Sequence, residues 1–272
     1  MSLPHKGGAD PLGALRELRI GCVRYLNARP LIGPYEGPVR LEHPSVLAEA
    51  LVRGELDAAL VPVYEGLRSP RFLAVDGVAI AADGPVWSVF VAHRGPVGAI
   101  RRLALDPASL TSVNLCRVLF AEWEEKEPVY VTGDEEAAQA EGRLLIGNQA
   151  NAFRQVHGAA YEYLDFGETW KRRTGLPFVF AVWLLRPELP DPERYGDAFR
   201  AMAEIGQREV ERYVAEEPGD PAFTRRYLTR HIRYGLGARE KAGLAEFYRL
   251  LIKHGRLEPV EGAAAGLPLR WV

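Results

Sequence analysis

Three hydroxyls cluster at Ser109, Thr111 and Ser112, just after the strand-like run Leu103 to Asp106. They stand where a strand hands over to a helix. A helix N-terminus offers unpaired N–H groups and about half a positive charge. With added hydroxyls it suits a carboxylate or a phosphate. Ordinary N-capping by one of the three is the structural alternative. No GxxxxGKS/T or GxGxxG accompanies them, which disfavours a nucleotide. Tyr25, Asn27 and Arg29 follow the first strand-like run. Asn both donates and accepts, and Arg can clamp a carboxylate with two bonds. Helix capping by Asn27, and solvation of Arg24 and Arg29, are the plainer readings. Trp87 and Ser88 set an aromatic face beside a hydroxyl, which suits a flat ligand with polar edges; core packing of Trp87 is the alternative. Asn148, Gln149 and Asn151 put three amides in four residues, for ligand bonding or for turn chemistry. Among carboxylates, Glu55 reads as surface and Asp57 as structural, since both flank the start of a buried strand. Glu65 and Glu168 are the better acid–base candidates. No histidine pairs with a Ser, Cys or carboxylate in a catalytic motif. If the protein is an enzyme, it works by orientation and electrostatics.

The elements around these residues follow an α/β order. Arg19 to Leu26 reads as a strand, Val39 to Glu42 as a second, and Val46 to Arg53 as a helix with Ser45 as N-cap, ending at Gly54. Leu56 to Val63 is a continuous apolar run suited to a strand buried on both faces. Together they form a βαβ pattern. Ala74 to Ile80 and Val86 to Ala92 read as strands around an Asp83-Gly84-Pro85 turn. A second unit starts after Arg94-Gly-Pro-Val-Gly98, and Phe178 to Leu185 returns the chain to the first. The tail from Pro192 is mainly helical. The expected domains are a disordered leader over 1–18, a first lobe over 19–95 plus 181–272, and an inserted second lobe over 96–180. Two crossings imply a ligand cleft between the lobes, where strand ends and interdomain surfaces meet.

The 272 residues are 47% hydrophobic and 26% charged, a globular composition that needs no disulfide or structural metal. Lys and Arg total 34 against 36 Asp and Glu, a net charge of -2 that argues against a nucleic-acid partner. Cys22 and Cys116 stand among apolar neighbours, and no CxxC or HExxH suggests a metal site. No run approaches the ~20 apolar residues of a membrane span, and residues 1–18 lack a hydrophobic signal core. A cytoplasmic location without membrane insertion is the expectation.

The segments Arg19 to Leu31 (RIGCVRYLNARPL), Pro44 to Ala48, Gly54 to Val63 (GELDAALVPV), Ser88-Val89, Leu105-Asp106 with Ser109, Thr111 and Ser112, and Gly175 to Ala181 occur in order. Together they resemble the chorismate dehydratases, the MqnA family of the futalosine route to menaquinone. The resemblance covers most of Arg19 to Trp183. It implies a two-lobed, type II periplasmic-binding-protein-like fold, no cofactor, and chorismate as a small-molecule partner. It also implies a hydro-lyase reaction, loss of water to give 3-[(1-carboxyvinyl)oxy]benzoate. On that basis Asn27 is expected to be catalytic. Tyr25, Trp87, Ser88, Ser109, Thr111, Ser112 and Asn148 are expected to bind substrate. The family pattern has an Asp where this chain has Asn148, so a role there is that of a neutral hydrogen-bonding group. The rivals are the sister enzyme that makes 1,4-dihydroxy-6-naphthoate and a non-catalytic protein that binds small carboxylates. The Tyr25-Leu26-Asn27 segment matches the dehydratase better.

Overall fold

The computed structural model describes residues 10–124, 127–260 and 266–272. Its first part runs β1 (Ile20–Val23), α1 (Arg29–Ile32), β2 (Val39–Glu42), α2 (Pro44–Val52), β3 (Ala58–Pro62), α3 (Val63–Arg68) and β4 (Leu73–Ala82). Pro44 opens α2, since a first-turn residue needs no backbone N–H. The N-cap is therefore His43 and not Ser45, and no side chain caps it. β1 pairs in parallel with both β2 and β3, which is the expected βαβ unit.

The chain then crosses. β5 (Val89–His93), β6 (Arg102–Ala104), α4 (Leu110–Trp123), β7 (Val129–Val131), α5 (Asp134–Ala138), β8 (Gly142–Ile146), α6 (Asn148–His157), β9 (Glu162–Asp165) and α7 (Phe166–Thr174) build a second layered unit. Its five strands lie in the order β7-β6-β8-β5-β9. β10 (Phe178–Leu185) returns to the first sheet, antiparallel to β3 and β4. The tail is α8 (Pro192–Arg208), α9 (Val210–Glu216), α10 (Pro221–Arg226), a π-helical turn over Tyr227–His231, β11 (Arg233–Leu236), α11 (Ala238–Lys253) and β12 (Arg270–Trp271). It completes a seven-stranded sheet, β11-β4-β10-β3-β1-β2 with β12 against β4.

Three sequence expectations need correction. β4 and β5 are not a hairpin: they belong to different sheets, and the Asp83 to Ser88 segment between them is the first crossing. The second sheet accordingly takes in β5, so the lobe boundary precedes Val89 instead of following Gly95. Residues 10–18 are ordered: Gly13–Glu17 form a 3-10 turn that buries Leu15, and Leu18 is buried too. The remainder of the expected leader, 1–9, lies outside the described residues. Cys22 and Cys116 are free and buried.

Asp57 takes the structural role read from its position. Its Oδ2 accepts from the Arg19 backbone N–H at 2.9 Å and from Nε at 2.8 Å, and its Oδ1 accepts from Nη2 at 2.7 Å. The Arg19 guanidinium holds the carboxyl below its ordinary 3.8, against the opposing effect of burial. A depressed carboxylate contributes stability above its unfolded pKa, and that stability is lost as pH falls through the folded value. Below about pH 4, Tm should therefore fall less steeply for Asp57→Asn than for the natural chain, as thermal melts across acid pH would show.

Candidate functional site

A cavity lies between the sheets at the carboxyl ends of β1 and β3. Tyr25, Asn27, Ser88, Ser109, Ser112 and Gly147 meet there against an apolar wall that includes Val23, Val61, Ile80, Ile146 and Phe180. The cavity volume is about 40 Å³, well below the ~300 Å³ at the lower end for small-molecule pockets. A ring-sized ligand enters only if the lobes part or Tyr25 moves. Cross-lobe bonds hold this closed arrangement. The Thr111 hydroxyl accepts from the Tyr64 backbone N–H at 3.0 Å. Asn148 Oδ1 accepts from Leu26 N–H at 2.9 Å, and its Nδ2 donates to the Arg24 carbonyl at 3.4 Å.

Each polar residue in the cavity has a local reason for its place. Ser109 is the N-cap of α4, a helix of 14 residues. Its Oγ accepts from the Ser112 N–H at 3.4 Å and from the Ser112 hydroxyl at 3.2 Å. The first-turn N–H groups of Leu110 and Thr111 have no intrahelical acceptor. Both serines are buried, so the helix start presents hydroxyls and amides in a poorly solvated place. That chemistry suits an anion, and the capping reading holds. Asn27 sits in a 3-10 turn over Leu26–Ala28 that follows β1 directly. It is buried, and its Oδ1 has no hydrogen-bond partner. Gly147 ends β8 with φ +67°, and a Cβ there would lie 2.6 Å from the Tyr25 ring. Both facts require glycine, and its absent side chain lets Tyr25 close the cavity. Burial, followed by the charge on Asp106, pushes the Tyr25 hydroxyl up to about 12.

Ser88 owes its position to a strained turn. Trp87 has φ +65°, and the Ser88 N–H donates to the Val86 carbonyl at 2.8 Å. This is a γ-turn of the rare positive-φ kind. A bulky residue keeps such a conformation only where its surroundings impose it. Asp165 does so: its Oδ1 accepts from Val86 N–H at 2.9 Å and its Oδ2 from Trp87 N–H at 2.8 Å. The Trp87 ring stacks on His231, centroids 3.8 Å apart, and on Phe223 at 5.1 Å. The Arg154 and Arg226 guanidiniums lie over the same ring at 5.9 and 5.4 Å. His231 Nδ1 meets the Pro85 carbonyl at 2.7 Å, so that nitrogen carries the proton. Burial, with Arg226, Arg154 and Arg230 nearby, holds His231 below the ordinary imidazole range. The Gly147 N–H donates to the Ser88 carbonyl at 2.7 Å. Ser88 is thus gripped from both sides, while its Oγ has no partner.

The structure brings Tyr25, Asn27, Ser88, Ser109 and Ser112 to the cavity wall. It does not bring Trp87, Thr111 or Asn148 there. Trp87 turns onto the tail because its positive φ swings the ring away from Ser88. Thr111 and Asn148 bind backbone of the first lobe across the cleft. The amide is apt at 148, because Asp could accept from Leu26 N–H but could not donate to the Arg24 carbonyl. Arg29 pairs with Glu216 and Glu217 of the tail. Glu168 is exposed on the first turn of α7. Glu65 is buried beside Arg68, 2.7 Å from its Nη2, and is not a cavity residue. Sequence reasoning missed Asp165 and Tyr227. Asp165-Phe-Gly-Glu168 has the spacing of a helix-capping signal, and Asp165 caps α7 through the Glu168 N–H at 3.1 Å. No local pattern marks Tyr227, since the tail meets the cleft only through topology. Among the described residues no group of three or more His, Cys, Asp or Glu forms a metal-ligand set. Nor is any helix among them long and apolar enough to cross a membrane.

Two α/β lobes joined by paired crossings, with the polar groups converging between them, define a periplasmic-binding-protein-like fold. Solved structures agree. The chain matches protein AF1704 from Archaeoglobus fulgidus with TM-score 0.72 and 14% identity, covering 88% of this chain and 98% of that one. It matches the aliphatic sulphonate binding protein SsuA from Escherichia coli with TM-score 0.59 and 14% identity, covering 89% and 88%. At those identities the likeness shows the fold alone. Sequence comparison goes further: a model of the menaquinone biosynthesis family matches residues 18–253, and the chain belongs to that family. A curated relative from Thermus thermophilus is 32% identical over 267 residues, 87% of this chain and 96% of its own length. One from Campylobacter jejuni is 25% identical over 228 residues, covering 83% and 89%. Both relatives are named chorismate dehydratase.

Proposed function

We propose that this protein is a chorismate dehydratase, a hydro-lyase that converts chorismate to 3-[(1-carboxyvinyl)oxy]benzoate in menaquinone biosynthesis by the futalosine route. The carrying observation is the pair of buried, unpartnered oxygens of Asn27 and Ser88, which belong to cavity residues alongside the N-terminus of α4. The relatives' names supply the substrate. The start of α4, with Ser109 and Ser112, takes a substrate carboxylate. Asn27 stands at the reacting ring and donates to the departing hydroxyl, and Ser88 completes the polar contacts. Tyr25 walls the ring.

In the reaction the C3–H bond breaks, its electron pair becomes a ring π bond, and the C4–O bond breaks with its pair on oxygen. The departing hydroxide takes up one proton, matching the one lost at C3, so one water leaves and the ring is aromatic. Among the cavity residues only Tyr25 is ionisable, and near neutral pH its raised pKa keeps it protonated. The enolpyruvyl carboxylate of the substrate itself is therefore the base that takes the C3 proton. Closure of a dry cleft fixes that carboxylate against C3 and favours this exit over rearrangement.

The direct test mixes purified protein with chorismate, without added metal or cofactor, and follows products by mass spectrometry and ultraviolet absorbance. An aromatic product lighter by one water is expected. Binding without turnover would favour a solute receptor, and turnover of a cyclic futalosine derivative instead would favour the sister enzyme. Glu65→Gln should keep kcat within about twofold of the natural protein, because Glu65 meets Arg68 and not the cavity. A large loss of kcat in that variant, with the fold intact, would overturn the substrate-as-base mechanism.

A further inference from the structure

We propose that Tyr227 is a positioning residue for the dehydration, holding Asn27 and Ser88 from behind together with Asn151. The inference rests on the dehydratase reading above. Four buried oxygens carry it: Asn27 Oδ1, Ser88 Oγ, Asn151 Oδ1 and the Tyr227 hydroxyl, none of which completes a hydrogen bond to a protein group. They come from four segments: the turn after β1, the first crossing, α6 and the tail. Ser88, Asn151 and Asn27 are the polar side chains acting on the Tyr227 hydroxyl, where they oppose the strong upward push of burial. A single orphaned polar atom is unfavourable, and four from separate segments in one place mark a functional cluster.

Asn27 and Ser88 belong to the cavity wall, whereas Tyr227 and Asn151 do not. The cluster therefore has an inner layer at the ligand and a second layer behind it. Tyr227 begins the π-helical turn Tyr227–His231, and such turns recur at functional sites because they re-aim side chains. Its ring is fully buried, stacking on Phe223 with centroids 6.4 Å apart. The phenol stays protonated, so it has one O–H to donate. Donated to Asn27 Oδ1, that O–H fixes which face of the amide points inward and leaves Nδ2 to donate toward the departing hydroxyl. Tyr227 neither gains nor loses a proton in the reaction, whose proton balance is that given above.

The test compares Tyr227→Phe, Asn151→Ala and the double variant with the natural protein, using chorismate. Tyr227→Phe should lower Tm little, because it removes at most one neutral hydrogen bond, that donated to Asn27. Its KM should stay within about threefold while kcat falls roughly tenfold to hundredfold. Asn151→Ala should show the same kcat–KM split, and the double variant should be no worse than the poorer single one, as for groups acting as a unit. Natural-level kcat in Tyr227→Phe would overturn the proposal, as would a fall in Tm with kcat unchanged. Multiplicative losses in the double variant would also overturn it. Should Tyr227→Phe not fold, wild-type-like kinetics of Asn151→Ala would overturn it. A natural chain that fails to dehydrate chorismate sinks the functional reading and this inference together; an active natural chain with a fully active Tyr227→Phe sinks this inference alone.

Discussion

Asn27→Ala should lower kcat for chorismate about 10²- to 10³-fold, the range found when a donor to a developing negative charge is removed from a dry site. KM should change little, because on the proposed reading a substrate carboxylate is held elsewhere, at the start of α4. Tm should change little as well. Asn27 Oδ1 completes no hydrogen bond in the structure, so truncation removes at most the one that Tyr227 is proposed to donate. The variant isolates the proposed leaving-group contact. The C4–O bond breaks with its electron pair on oxygen, and in a low-dielectric cavity an undirected hydroxide is expensive. An Asn27→Asp variant sharpens the point. It keeps size and shape, but it replaces a donor with an acceptor and adds a charge beside a substrate that already carries two carboxylates. It should be at least as poor as alanine, with a raised KM. Steady-state kinetics by ultraviolet absorbance, together with thermal melts of the three proteins, would check this. Asn27→Ala with near-natural kcat would place the leaving-group donor on another residue, Ser88 first.

Much of the fold was legible because its signals are local. The Pro44-to-Gly54 helix and the apolar Leu56-to-Val63 run bracket β1 into a βαβ unit, and Phe178 to Leu185 reads as a buried strand from composition alone. The first crossing was not legible. Asp83-Gly84-Pro85 has turn chemistry, and nothing local tells a hairpin turn from a link between two sheets. The difference lies in which strands pair, a long-range matter. The site divides the same way. Ser109 and Ser112 read correctly as a helix start, and Asn27 as a polar residue at a strand end. Trp87 reads as a ligand wall only until its φ of +65° is known, since that angle sends the ring toward His231. Thr111 and Asn148 carry the right chemistry for a ligand, but their partners are the backbones of Tyr64, Leu26 and Arg24. A sequence shows that a group can bond, and only the approach of the other lobe shows to what. Tyr227 was hidden for the same reason: its neighbours in the cluster, Asn151, Ser88 and Asn27, lie 76 or more positions away in the chain.

Asp165→Ala should destabilise the protein by about 3–5 kcal/mol, the cost of removing one partner from a buried charged network. Asp165 is buried at 3% exposure and accepts from three backbone N–H groups, those of Val86, Trp87 and Glu168. Truncation leaves the Val86 and Trp87 donors without an acceptor and removes the cap of α7. It also leaves Arg154, whose Nη2 lies 3.6 Å from the carboxylate, charged and part-buried without its counterion. These losses converge on the turn that aims Ser88. Trp87 keeps its positive φ only because Asp165 holds its N–H while His231 and Phe223 hold its ring. With the carboxylate gone, the turn is free to relax to negative φ, which would rotate Ser88 out of the cavity. Activity should therefore fall more than stability explains: below the lowered Tm, where the variant is still folded, kcat should remain at least about tenfold down. Asp165→Asn separates the two effects. An amide oxygen can accept from one or two of the three N–H groups, but its NH2 faces donors and it cannot neutralise Arg154. It should fall between the natural chain and alanine in Tm, with kcat following whichever N–H the amide oxygen retains. Denaturant unfolding and kinetics on all three proteins measure this. Asp165→Ala with natural kcat at a temperature where it is folded would mean that the Trp87 turn holds Ser88 without the carboxylate.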